Sequence, residues 1–289
     1  MNPIPADTFA NAQSLHNVAF DAPSDTKLIL PWKQLKELSI CTFRLSPNYY
    51  FQILRDGSRL ETLRLRLRPN LSQWTAAKTR LCTHPVTTLP CLRVLEIDSE
   101  LSSLLNSICL PKLSSLIVCG DVESIELDLS SFVERSCNSV DNLSFSFTRI
   151  VGGFTQLLRM FPSLTSLTLR SPTFLDKAFF YAMAQKSLLP SLENFSIHNA
   201  NITHDYMVPI MGMLTARQSC LKQFLMTLSL RGSPRDSEPC SIDWWLELPQ
   251  KLRLETLSNA GMNIRIGTSR SRLFGSPEIS YLNLGAENQ

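Results

Sequence analysis

Glycine is scarce in this chain, 10 of 289 residues, and charged side chains make up only 18%. The one glycine pair, Gly152-Gly153, stands ahead of a helical pattern but belongs to no GxGxxG or GKS/T run, so it reads as a turn rather than a phosphate cradle. GxSxG and HExxH are missing too, and no nucleophile, base and orienter can be matched, so the sequence gives no reason to expect an enzyme. Lys and Arg number 28 against 25 Asp and Glu, a net charge of +3, which is too slight for a protein that neutralises nucleic-acid phosphates with a basic face. No apolar run reaches the length of a membrane span, and the amino end lacks the basic and apolar regions of a secretory signal. Cytoplasm or nucleus is therefore the expected location. The eight cysteines form no CxxC pair and none has a histidine beside it, so reduced thiols are expected, with no metal and no cofactor. N-x-S/T triplets at Asn70, Asn142, Asn194 and Asn201 are read as chance in a serine-rich chain.

What is abundant is leucine, 47 residues, and serine, 35. With 44% apolar residues the chain can build a core. Leucine falls into a pattern of apolar-x-x-apolar-x-apolar: Leu15/Val18/Phe20, Leu35/Leu38/Ile40, Leu60/Leu63/Leu65, Leu92/Leu95/Ile97, Leu113/Leu116/Val118, Val140/Leu143/Phe145, Leu164/Leu167/Leu169, Leu192/Phe195/Ile197 and, less cleanly, Leu221/Phe224/Met226. From Leu15 to Leu221 the eight intervals average about 26 residues, within the leucine-rich-repeat range of 20–29. This predicts an α/β leucine-rich-repeat solenoid, with a parallel sheet on the concave side and short helices on the convex side. One repeat cannot bury its apolar face alone, so neighbours must share a continuous core.

Helical spacing between the triplets supports that reading. Candidate helices run over 48–55, where Gly57 supplies a stop, over 154–160, over 176–185 and over 205–216 with an interruption near Pro209; 129–135 reads as a single turn. The expected organisation is a partial or disordered segment at 1–11, about nine repeats over 12–230, a capping segment at 231–267 containing Trp244 and Trp245, and a mobile Ser/Arg/Gly-rich tail from 268 to 289.

Side chains alternate along a strand, so the residues flanking the second and third triplet positions face away from the core. The first half presents Glu37, Ser39 and Cys41, then Thr62, Arg64 and Arg66, then Val94, Glu96 and Asp98. The second presents Ser115, Ile117 and Cys119, then Asn142, Ser144 and Ser146, then Ser166, Thr168 and Arg170, then Asn194, Ser196 and His198. Arg64 and Arg66 beside Glu96 and Asp98 form either a lateral charge ladder or a charged reader of a partner's loop. The Ser/Thr/Asn stretch is either small residues suited to a crowded strand or a hydrogen-bonding groove.

Segments such as LPWKQLKELSI (30–40), LSPNYYFQILRDGSRLETLRLRL (45–67), LPCLRVLEI (89–97), LPKLSSLIV (110–118) and LLPSLENFSIHNANITHDYM (188–207) resemble the repeat region of the F-box/leucine-rich-repeat proteins of mushroom-forming fungi. In that family an F-box bundle docks the adaptor of a cullin ubiquitin ligase while the repeats present a substrate. The resemblance implies a non-enzymatic protein-binding module that recognises ubiquitination substrates. No Leu-Pro-x-Glu-Ile/Leu helix signature precedes Leu15, so the adaptor is implied only where an F-box is encoded upstream. The alternative is a stand-alone scaffold or inhibitor using the same surface.

Overall fold

The structure, a computed structural model, describes residues 9, 12, 14–22, 29–42, 47–67, 85–120, 126–136, 140–146, 149–150, 153–172, 174–229, 246–270 and 278–281. The expectations for 1–8, Asn70, Gly152 and the break at 231–241 with Trp244 and Trp245 lie outside these residues. The protein is mixed α/β and divides into two compact units, Met1–Val140 and Asp141–Gln289.

In the first unit the strands are β1 (Asn17–Ala22), β2 (Glu37–Thr42), β3 (Thr62–Leu67), β4 (Thr87–Thr88), β5 (Val94–Asp98), β6 (Ile108–Cys109) and β7 (Ser115–Cys119). β1, β2, β3, β5 and β7 pair in that order, all parallel, while β4 and β6 form a separate parallel pair. Helices α1 (Pro47–Asp56) and α2 (Glu126–Ser136) and the 3-10 segments Trp32–Gln34 and Ser99–Ser107 lie between strands. The pairing register aligns Leu38, Leu63, Leu95 and Leu116, and next to them Ile40, Leu65, Ile97 and Val118, each no more than 2% exposed. Burying such rows of branched side chains stabilises the sheet by about 2 kcal/mol per residue before entropy is subtracted. At the edge strand the core is open: Phe9, Leu15, Val18, Phe20 and Leu30 line an apolar recess of about 350 Å³.

The second unit contains β8 (Asn142–Ser146), β9 (Arg149–Ile150), β10 (Ser166–Arg170), β11 (Phe174–Leu175), β12 (Asn194–Ala200), β13 (Gln223–Ser229), β14 (Asn263–Arg270) and β15 (Glu278–Tyr281). β8, β10, β12, β13 and β14 are parallel in that order, β15 runs antiparallel to β14, and β9 pairs with β11. Its helices are α3 (Phe154–Leu158), α4 (Lys177–Ala184), α5 (Met207–Ala216) and α6 (Leu248–Asn259). Leu143, Leu167, Phe195, Phe224 and Ile264 share one register line, and Phe145, Leu169, Ile197, Met226 and Ile266 the next. Aromatic rings knit sheet to helix: Phe145 meets Phe154 edge-on at a centroid distance of 5.0 Å.

The second and third members of all nine triplets thus lie on parallel strands. Details between them differ from the sequence reading. Pro209 does not interrupt α5, because it stands in the first helical turn, where its missing N–H has no partner to lose. The 3-10 segment Ser99–Ser107 was not anticipated, although its buried Leu101, Leu104 and Leu105 carry three- and four-residue spacing. The residues from 268 were expected to be mobile, yet Thr268 and Ser269 are buried in β14 and 278–281 forms β15. Backbone pairing to Leu228 and Ser229 makes that extension, and pairing leaves no apolar alternation to read. Ile264 and Ile266 lie on β14, in parallel register with Phe224 and Met226 of β13, and continue the same line of side chains, while Met262 stands just ahead of the strand.

Candidate functional site

Each unit presents one polar strand face. In the first, Arg64 and Glu96 are register partners, with Arg64 Nε 3.6 Å from a Glu96 oxygen. Arg66 donates its Nε–H to the other oxygen, and the Cys119 thiol donates to that oxygen at 3.7 Å. The Glu96 side chain is only 4% exposed, whereas Arg64 and Arg66 are 42% and 57% exposed. Glu96 is therefore a buried counter-ion to two arginines rather than a carboxylate standing at the surface, which corrects the sequence reading of that position. The hydrogen bond that Arg66 donates to Glu96 raises the Arg66 pKa, and burial together with Glu96 pushes the Cys119 thiol up to about 11. That thiol stays protonated at neutral pH and is a poor nucleophile.

Asp98 does not join the ladder. It accepts the Glu100 N–H at 3.1 Å as N-cap of the Ser99–Ser107 segment, and burial raises its pKa. Glu37 lies exposed opposite Thr62, outside the cluster. Of the four charges grouped from sequence, three converge.

In the second unit the predicted residues fall into three rows across the strands. Asn142, Ser166 and Asn194 align in the first, Ser144, Thr168 and Ser196 in the second, and Ser146, Arg170 and His198 in the third. The sequence map stopped at β12, but the structure carries the first row on through Gln223 and Asn263 and the second through Leu225 and Arg265. The same flanking rule applied to Phe224/Met226 and to Ile264/Ile266 finds these residues. Ser144 Oγ is shielded from solvent and has no hydrogen-bond partner among the described residues. Burial and, secondarily, the neighbouring Arg170 charge lower the His198 pKa, so the imidazole is neutral at physiological pH.

Sequence reasoning missed the end of β10 and the register shift within β12. Ser171 and Asn199 adopt left-handed φ values of 46° and 55° directly after Arg170 and His198. Ser171 donates its N–H to the His198 carbonyl at 2.7 Å, Asn199 Nδ2 donates to Ser171 Oγ at 3.3 Å, and the Asn199 N–H donates to Thr227 Oγ1 at 2.9 Å. These contacts join the end of β10 at Arg170 to the register shift inside β12 that follows Ile197.

Among the described residues no cluster of His, Cys, Asp or Glu can hold a metal ion, Cys41, Cys91, Cys109, Cys119 and Cys220 are free thiols, and no helix is long and apolar enough to cross a membrane. The second unit's face offers amide and hydroxyl donors and acceptors, which suits recognition by hydrogen bonding. No protein-family model matches the sequence, and no curated protein matches it.

Proposed function

We propose that this protein is a leucine-rich-repeat solenoid that binds another protein through its polar strand faces and catalyses no reaction. The observation that carries the reading is the register itself: parallel strands hold Asn142, Ser166 and Asn194 in one line while Leu167 and Phe195 close the core behind them. A shared core leaves its inner surface free to vary, and stacked repeats use such surfaces to bind. The sequence resemblance supports a place as the substrate-recognition part of an F-box-type ubiquitin ligase, working in the cytoplasm or nucleus. The cullin adaptor is then a second partner wherever an F-box is encoded upstream of Met1.

A photo-crosslinking side chain at Thr168 tests the binding face. It is expected to capture a protein from cell lysate that the same group at Tyr181, exposed on α4, does not capture. Equal capture at both positions overturns the assignment of the face. Co-purification of the adaptor with the full-length gene product supports the ligase link, and its absence removes it.

A further inference from the structure

The first row of the second unit is nearly all carboxamide. Asn142, Ser166, Asn194, Gln223 and Asn263 occupy one register position on β8, β10, β12, β13 and β14. Asparagine therefore recurs on every second strand. Parallel strands lie about 4.8 Å apart, so Asn142, Asn194 and Asn263 stand about 9.6 Å from one to the next.

That step discriminates among peptide conformations. A polyproline II segment completes a turn in three residues and advances about 9.3 Å, so it drifts from the ladder by only about 0.6 Å over two steps. An α-helix returns every 5.4 Å or so, and two turns overshoot each step by about 1.2 Å. A β-strand presents the same side about every 6.7 Å, which matches neither one strand spacing nor two.

Charge complementarity points the same way. No member of the first row ionises, and in the second row Ser144, Thr168, Ser196 and Leu225 are neutral, with Arg265 alone charged at the far end. An occupant of these rows meets mostly neutral groups, with Asp141 beside Asn142 at one end and Arg265 at the other. The polyproline II backbone makes no internal hydrogen bonds, and its carbonyls accept from amide NH₂ groups even at proline, which has no N–H to give. Asn194, Gln223 and Asn263 make no side-chain hydrogen bond with other described residues, while Asn142 Nδ2 donates to the Asp141 carboxylate at 2.6 Å. The unpartnered Ser144 Oγ lies one row above.

We propose that this amide ladder binds an uncharged, proline-rich segment of a partner protein in the polyproline II conformation, laid across the strands with one turn per two strands. The proposal rests on the protein-binding reading and names the kind of segment bound.

The test uses the full chain and a fluorescein-labelled peptide of three Ala-Pro-Pro repeats, read by fluorescence anisotropy. A Gly-Ser peptide of equal length and an uncharged glucan oligosaccharide serve as competitors. Saturable binding of the proline peptide is expected, with Asn194→Ala weakening it roughly fivefold, the loss of about one hydrogen bond. Ser166→Ala is expected to weaken it less than about twofold, and raising the salt to change it little, since no ion pair forms. Circular dichroism of Asn194→Ala checks that the variant is folded. Absence of saturation, equal affinity for the Gly-Ser peptide, indifference to Asn194→Ala or a steep salt dependence each overturn the proposal. Displacement by the oligosaccharide overturns it in favour of a glycan. If the Thr168 crosslink captures a protein while the peptide fails to bind, this inference falls and the protein-binding reading stands; if both fail, the reading falls as well.

Discussion

Arg217 donates a guanidinium N–H to the carbonyl of Leu189 at 3.0 Å, and Leu189 holds a left-handed φ of 54°. The same guanidinium donates to the carbonyls of Met183, Gln185 and Leu188, so one fully buried cation gathers four oxygens, one in the last turn of α4 and three just past its end. The Gln185 and Leu189 carbonyls also accept turn N–H groups from Leu188 and Leu192, and a positive charge at this helix end complements the helix dipole. Desolvation lowers the arginine pKa, but far above neutrality it remains charged.

Arg217→Met is expected to cost about 3 kcal/mol or more in urea unfolding, because four acceptors and a left-handed leucine lose their support. Arg217→Lys is expected to recover only part of that, since an ammonium has three donors and no planar fork. A lysine variant as stable as the wild type contradicts the account.

Leu167 and its neighbours test the face assignment. Leu167→Asp places a charge in a site that is 0% exposed and is expected to cost several kcal/mol. Ser166→Ala and Thr168→Ala on the opposite face are expected to change unfolding by no more than about 0.5 kcal/mol. Equal, mild losses at all three positions contradict the register.

Removing the charge of Glu96 leaves Arg64 and Arg66 without their shared counter-ion. Glu96→Gln is expected to destabilise the first unit by roughly 1–2 kcal/mol. In a double-mutant cycle it should couple to Arg66→Ala by more than about 0.5 kcal/mol. An additive cycle shows that the pair contributes nothing together.

His198 makes folding pH-dependent. Because its folded pKa lies below the unfolded value of about 6.5, the unfolded chain binds the proton more readily. Stability is undiminished above that value and declines as the pH falls through it toward the folded pKa. Wild-type protein is expected to lose more of its urea midpoint between about pH 7.5 and pH 5 than His198→Gln does. Arg170→Gln is expected to raise the His198 pKa only partly in an NMR titration, since burial is the larger cause. A full return to the ordinary value contradicts that order of causes.

The strands were legible because leucine repetition reports burial directly: Leu63, Leu95 and Leu116 recur at a spacing that a shared core requires. The facing polar residues followed from alternation alone, which placed Asn142, Ser166 and Asn194 correctly in one row. Pair choice was not legible, because register brings Arg64 to Glu96 but only side-chain packing sends Asp98 to cap a 3-10 segment. Arg217 was invisible for the same reason. Its partners are backbone carbonyls, which no residue letter marks.

β15 runs back along the outer half of β14, from Gly267 to Arg270. A parallel strand brought to Gly267–Arg270 would meet a reversed neighbour there instead of open backbone groups. The sheet therefore cannot gain a further parallel strand along that stretch of β14 unless β15 is first displaced.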